Sequence, residues 1–232
     1  MTTPHHASTL TPDQLKAQVG QAALDYVVRG APVGVGTGST VNQFIAALAT
    51  IKHEIAGAVS SSLATTQRLR ACGIALLQAD AVGELPVYID GADEINHHGQ
   101  MIKGGGAALT CEKILAAQAR QFVCIADASK LVHTLGQFPV PLEVVPMAVA
   151  RVQRQFAAMG AQASLRLQNG VPWVTDNGQH IVDVRGLQIA DPLAFEMQVS
   201  QWPGVLTVGV FAVQKAHLCL LGTAAGVRKM VF

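Results

Sequence analysis

Residues 87–113, VYIDGADEINHHGQMIKGGGAALTCEK, gather Asp90, Asp93, Glu94, Lys103 and Glu112 in a chain of which only 13% is charged. Two kinds of chemistry are open to such a set. A carboxyl whose pKa is lifted by burial can move a proton at neutral pH. An ammonium beside glycine amides can hold a developing oxyanion. Glu112 falls one to two turns into the helix expected after Gly104-Gly105-Gly106, and it shares a face with Leu109 and Ala116 at i, i+3, i+7 spacing. That stripe is apolar, so desolvation should raise the Glu112 carboxyl toward the range of a general base. Lys103 stands directly before the glycines as the nearest cation in sequence. Taken singly, any of these residues reads equally well as a solvated loop charge; the cluster is what marks a site.

The elements that position them read as an α/β pattern. Val87-Tyr88-Ile89 is a β-branched and aromatic run that stops at Asp90-Gly91, as a buried parallel strand stops at its carboxyl edge. Ligands of open α/β sheets bind just beyond such edges, which puts Asp90 and Asp93 at the rim of a crevice. The three glycines let the backbone approach a ligand and enter a helix whose first amides face an anion. A second glycine-rich turn, Gly36-Thr37-Gly38-Ser39-Thr40, joins the strand Val33-Gly34-Val35 to a helix bearing Phe44, Ile45, Leu48 and Ile51. Its amides and the hydroxyls of Thr37, Ser39 and Thr40 can cradle a phosphate. Neither a dinucleotide fingerprint nor a Walker loop is present, since Ser39 occupies the third-glycine position and no lysine follows.

Taken in order, Thr11-Pro12-Asp13 starts a helix with Lys16 early in it, Ala58-Val59 begins another strand, and Ser60-Ser61-Ser62 with Thr65-Thr66 caps a helix ending at Gly73. Residues 74–77 and 122–125 read as further strands, the latter ending in Ala126-Asp127-Ala128-Ser129-Lys130 and so placing Lys130 beyond a carboxyl edge. Strands and helices alternating at this pace predict a doubly wound, Rossmann-like, mostly parallel sheet. After Gly136 prolines break the texture, and a βαββαβ order follows, predicting a smaller α+β, ferredoxin-like domain. The expected division is residues 1–135 plus 208–232 for the catalytic domain and 136–207 for the small one, with residues 218–221 returning as a final strand of the large sheet. No group of titratable residues stands out in residues 136–207, so closure or subunit contact is the role expected there.

Composition narrows the function classes. The 232 residues are 50% hydrophobic with a net charge of +1, and the few aromatics do not interleave with basic runs, so nothing fits nucleic acid. Every apolar run is cut short of the ~20 residues a membrane span needs. MTTPHHASTL lacks a basic region followed by an apolar core and is read as a frayed extension. Cys72, Cys111, Cys124 and Cys219 lack metal-ligand spacing and are expected as reduced thiols, and His97-His98 as a solvated turn.

Together these stretches resemble type A ribose-5-phosphate isomerases. The resemblance rests on GVGTGST at 34–40, SSS and TT within 60–66, YIDGADEI at 88–95, MIKGGGAALTCEKI at 101–114, IADASK at 125–130, and TDNG with IVD within 175–183. It implies interconversion of ribose 5-phosphate and ribulose 5-phosphate through an enediolate, in the pentose phosphate pathway, without metal or organic cofactor. It further implies a cytoplasmic homodimer or homotetramer. Carried over by position, Glu112 is the base that moves a proton between C2 and C1, with Asp90 and Lys103 also catalytic. The substrate loops are then Thr37-Gly38-Ser39-Thr40, Asp90-Gly91-Ala92-Asp93 and Lys103-Gly104-Gly105-Gly106, with Lys130 and Lys16 near the phosphate. Two positions depart from the family pattern: Cys111, where a basic residue is common, and Leu63, where aspartate is. A sugar-phosphate-sensing repressor domain is the alternative; it would need neither Glu112 nor Lys103 and would carry a helix-turn-helix.

Overall fold

Thr11 caps the first helix, α1 (Pro12–Ala22): its side chain accepts from the Gln14 amide while the Gln14 side chain accepts from the Thr11 amide. The computed structural model describes residues 11–232, and the extension expected at residues 1–10 lies outside them. The next elements are β1 (Pro32–Val35), α2 (Ser39–Leu48), β2 (Gly57–Ser60), α3 (Leu63–Ala71) and β3 (Val87–Asp90). Two short strands, β4 (Glu94–Ile95) and β5 (Met101–Ile102), precede α4 (Leu109–Gln118) and β6 (Phe122–Asp127). The smaller region holds β7 (Val140–Val144), α5 (Val149–Ala158), β8 (Gln162–Leu165), β9 (Leu167–Gln168), β10 (Val171–Pro172), β11 (His180–Arg185), α6 (Pro192–Val199) and β12 (Val205–Val208). The chain closes with β13 (Val210–Phe211), β14 (Leu218–Thr223) and β15 (Gly226–Val231).

The large sheet has the order β15-β14-β6-β3-β1-β2 and is parallel throughout except for β14 with β15. Side-chain alternation divides its strands between two cores. Val33, Val35, Val87, Ile89, Val123 and Ile125 face α1, α2 and α3, where Val19, Phe44, Ile45 and Leu69 cover them. Tyr88, Phe122, Cys124 and Leu221 face the other way, toward Leu109 and Leu115 of α4. Helices on both faces make the sheet doubly wound, as expected. The chain passes from β1 to β2 on one side and returns to β3 on the other, so the strand order reverses between β1 and β3. A crevice opens beyond the carboxyl ends at such a switch point.

The small sheet is antiparallel with the order β12-β7-β11-β8, the ferredoxin-like arrangement. Val140, Leu142, Val144, Val182 and Val184 meet α5 and α6 on one face, centred on Phe156, whose ring lies 4.9 Å from Trp202 and 6.5 Å from Phe195. Alternation turns Glu143 and Asp183 to the opposite face. β12 and β13 are one extended run divided at Gly209: β12 pairs with β7, and β13 pairs with β5 in a three-stranded sheet.

Two expectations change. Residues 74–77 form only an isolated bridge, Ala58 with Leu76, because a single residue of β2 reaches them. The final strand is a hairpin: β15 pairs with β14 as an antiparallel edge, and Arg228 and Lys229 keep that edge polar, a common guard against further strand pairing. Phe156→Ala should cost about 3–5 kcal/mol of stability through the cavity it leaves, read from urea unfolding.

Candidate active site

The crevice at the switch point has a volume of 480 Å³ and is lined by the 37–40 turn, residues 91–93, the 103–106 loop, Glu112, the 127–130 turn and Lys16. With one exception, every residue expected at the site borders it: Lys16, Thr37, Gly38, Ser39, Thr40, Gly91, Ala92, Asp93, Lys103, Gly104, Gly105, Gly106, Glu112 and Lys130. The exception is Asp90. It was expected at the rim but is fully buried beneath the crevice, where the amides of Thr37 and Gly91 donate to its Oδ1 at 3.0 and 2.7 Å. Tyr88 Oη and Lys103 Nζ both donate to Oδ2, the latter at 2.7 Å. A methyl group at position 36 would overlap the carboxylate, which is why Gly36 stands there. With all its acceptor capacity engaged, Asp90 braces the crevice from below. Burial, and then the charges of Asp90 and Glu112, hold the Tyr88 phenol well above its ordinary pKa, so it stays a donor.

Lys103 follows β5 directly, and its ammonium is 3% exposed. It donates to Gly91 O at 2.6 Å and lies 3.3 Å from Glu112 Oε2. Burial alone would lower its pKa; the carboxylates of Asp90 and Glu112 outweigh that and hold it above the usual lysine value. Glu112 sits in the first turn of α4, nearer the helix start than expected, because the glycines form a separate turn and the helix begins only at Leu109. Desolvation raises its carboxyl most, Lys103 pulls it back, Asp90 repels it, and the balance is a pKa pushed up to about 8. No hydrogen bond reaches its buried Oε2 despite the nearby ammonium. Glu112 thus borders the crevice with one buried oxygen left without a hydrogen bond.

Asp93 takes the rim position. Its Oδ2 accepts from the Gly105 amide at 2.8 Å, and burial raises its pKa against the opposing pull of Gly105, Lys103 and Lys130. At the far end, the 39–40 amides open α2, a ready anion site. The Thr37 hydroxyl is already committed: it donates to Ser62 Oγ at 2.8 Å and lies 2.9 and 3.2 Å from the hydroxyls of Ser61 and Thr65. Thr37 therefore fixes the turn, and the Ser39 and Thr40 hydroxyls border the open space. Lys16 and Lys130 line the crevice as well, Lys16 with Asp13 3.7 Å away.

Within the small domain the titratable residues are bonded singly or in a pair, and several reach across to α4 and the glycine loop. Glu143, fully buried, accepts from Thr110, from Thr175 Oγ1 at 2.5 Å and from Asn177 Nδ2 at 3.1 Å. Lys113 of α4 reaches Glu196 at 2.5 Å and the carbonyls of Val208 and Val210 at 2.9 and 2.8 Å. Arg166 pairs with Asp183 and touches the glycine loop. These residues are scattered in sequence and meet only through strand register, so no spacing could mark them. Of the two departures from the family pattern, Leu63 contributes its amide, which donates to Asp176 Oδ2 at 2.8 Å, and its side chain points away. Cys111 is half-buried, 3.7 Å from Asn177 Oδ1, and burial raises its thiol pKa, which makes it a packing residue.

Comparison with known proteins gives the chain a family. The family model for ribose 5-phosphate isomerase A (phosphoriboisomerase A) matches residues 57–226. The ribose-5-phosphate isomerase A of Polaromonas sp. is 68% identical over 227 residues, covering 96% of this chain and 95% of that protein. The crystal structure of ribose 5 phosphate isomerase A from Neisseria gonorrhoeae superposes with a TM-score of 0.91 at 44% identity, covering 95% of this chain and 97% of that one. A D-ribose-5-phosphate isomerase solved in complex with phospho-erythronic acid superposes equally, with a TM-score of 0.91 at 34% identity, over 96% of this chain and 100% of that one. By coverage and identity alike, the chain belongs to the ribose 5-phosphate isomerase A family.

Proposed function

We propose that this crevice interconverts D-ribose 5-phosphate and D-ribulose 5-phosphate, with Glu112 as the base. The observation that carries the proposal is the Glu112 carboxyl: buried, unbonded at Oε2, and 3.3 Å from a permanently charged ammonium. The phosphate sits at the start of α2 with Lys16 and Lys130. Asp93, its pKa raised by burial, serves ring opening at the other end. On the open chain, Glu112 takes the proton from C2 as the C1 carbonyl becomes an enediolate oxygen; the O2 hydroxyl proton passes to O1, and the same carboxyl returns the first proton to C1 as C2 becomes the carbonyl of the ketose. Lys103 and the Gly106 amide meet the enediolate oxygens, where fixed donors act most strongly, while the Gly105 amide holds Asp93. Asp90 and Tyr88 hold Lys103 in place and do not touch substrate. In this scheme protein donors alone supply the polarisation, so no metal or cofactor is required.

Supporting this reading, a relative of like fold holds phospho-erythronic acid, a phosphorylated acid whose planar carboxylate offers two oxygens as an enediolate does. The same reading takes residues 1–135 and 208–232 as the catalytic domain and 136–207 as the small one, a division in keeping with the change of sheet at Gly209. It also makes the enzyme a cytoplasmic homodimer or homotetramer of the pentose phosphate pathway. Free thiols at all four cysteines are consistent with that compartment, and exposed Met147, Met197 and Leu206 supply apolar surface for assembly.

Glu112→Gln should lower kcat by ~10²–10⁴, the usual contribution of a positioned base, while KM stays close to that of the parent. For the parent, kcat/KM should climb with pH up to about 8, where Glu112 loses its proton, instead of levelling near an ordinary carboxylate value. Stability should run the other way. The folded state holds the Glu112 proton up to about 8 and the unfolded chain only to 4.5, so across that window stability falls as pH rises. The slope is up to about 1.4 kcal/mol per pH unit. Glutamine removes it, and the melting temperature of Glu112→Gln should gain on the parent as pH goes from 5 to 8.5. Exhaustive chelation should leave turnover intact; strict dependence on a re-added divalent ion would refute the scheme.

A further inference from the structure

The glycine loop is gripped from outside the crevice by a residue that the chemistry above does not use. Arg166, between β8 and β9, forks onto Asp183 of β11, with Nε to Oδ2 at 2.8 Å and Nη2 to Oδ1 at 2.5 Å. Its remaining nitrogen, Nη1, donates to Gly105 O at 2.9 Å and to Gly104 O at 3.3 Å. The two side chains are only 15% and 18% exposed, so the fork is screened from water. A guanidinium suits this task because its donors are fixed in one plane; a lysine ammonium could not hold a bidentate carboxylate and two carbonyls together.

The consequence follows from peptide geometry. In a trans peptide the C=O and the following N–H point in opposite directions. Drawing the Gly104 and Gly105 carbonyls to one nitrogen of Arg166 therefore turns the amides of Gly105 and Gly106 away from it, toward the crevice. The first of these is seen on Asp93 Oδ2 at 2.8 Å. The second belongs to a residue of the crevice wall. The loop is also strained: Ala107 adopts φ 62°, unfavourable for a residue with a Cβ, and its amide closes the turn on Gly104 O at 2.9 Å. Such a conformation persists only where its surroundings over-determine it.

We propose that Arg166, oriented by Asp183, is a positioning residue for the isomerisation: it sets the peptide planes of the 104–106 loop so that the Gly105 amide holds Asp93 and the Gly106 amide meets an enediolate oxygen. The inference rests on the reading of that loop as part of the substrate site. It also gives the small domain a positioning task, since Asp183 lies on its sheet and Arg166 directly follows β8.

The test compares the parent with Arg166→Met, Arg166→Lys and Asp183→Asn, each checked for folding by near-ultraviolet circular dichroism. Four quantities are measured: kcat, KM, the affinity for phospho-erythronic acid and the affinity for inorganic phosphate. Removing an oxyanion donor outright costs ~10²–10³ in kcat, so misaiming the loop should cost about 10- to 100-fold in both Arg166 variants. KM should move by less than about threefold, because ground-state binding is left intact. Phospho-erythronic acid should weaken in step with kcat while inorganic phosphate, held at α2, binds as before. Asp183→Asn should show the same pattern at roughly 3- to 10-fold, and it decides the matter if the Arg166 variants do not fold. A folded Arg166→Lys, or failing that Asp183→Asn, with kcat within about twofold of the parent would overturn the proposal, as would equal weakening of both ligands. Either result with a fully active parent leaves the isomerase reading standing, whereas a parent inert toward both pentose phosphates removes that reading and this inference together.

Discussion

One buried ammonium between two buried carboxylates sets the terms for everything around it. Lys103 lies 2.7 Å from Asp90 and 3.3 Å from Glu112, with almost no water near any of the three. Isolated, each charge would carry a desolvation cost of several kcal/mol. The fold offsets that cost unequally. Asp90 receives two amides, a phenol and the ammonium, whereas Glu112 receives only the proximity of Lys103. One carboxylate is thereby tied into the framework, and the other is left with a raised pKa. The same lysine serves both, so its position cannot drift without disturbing the acid–base balance.

The surrounding elements make sense as supports for that asymmetry. β3 delivers Asp90 at its carboxyl end, β5 returns Lys103 above it, and α4 places Glu112 in its first turn. On the side of α4 away from the crevice, Thr110 and Lys113 are fastened to Glu143 and Glu196 of the small domain. Glu112 therefore stands on a helix gripped on both sides of it. Meanwhile Asp176 ties the small domain to the start of α3, whose cap Ser62 accepts from Thr37 in the glycine-rich turn before α2. The two ends of the crevice thus share a brace that neither the large sheet nor its helices supply.

Much of the parallel sheet could be read directly, because apolar runs ending in Gly or Asp mark strand edges and Ser62 and Asp191 mark helix starts. The site was legible to the extent that its residues are local: Asp93, Lys103 and Glu112 fall within twenty positions, and the glycine turns announce themselves. What escaped depends on partners distant in the chain. Whether Asp90 looks into the crevice or hides beneath it is decided largely by Gly36 and the Thr37 amide, which sequence spacing does not connect to it. Glu143, Arg166 and Asp183 look like ordinary strand and loop charges until the antiparallel register of β7, β8 and β11 lines them up. The edge strand β15 was missed for a related reason, since a half-exposed antiparallel edge carries a weaker apolar pattern than a buried strand.

The division at Gly209 has a mechanical side. Its amide is bonded to Pro141 O at 2.7 Å and its carbonyl accepts from the Lys103 amide at 2.8 Å, so a single residue separates the small sheet from the backbone of Lys103. A conventional hinge would insert a compliant linker at such a junction. Here displacement of the small sheet is geared to the ammonium with little play, and stiffness of the one becomes stiffness of the other.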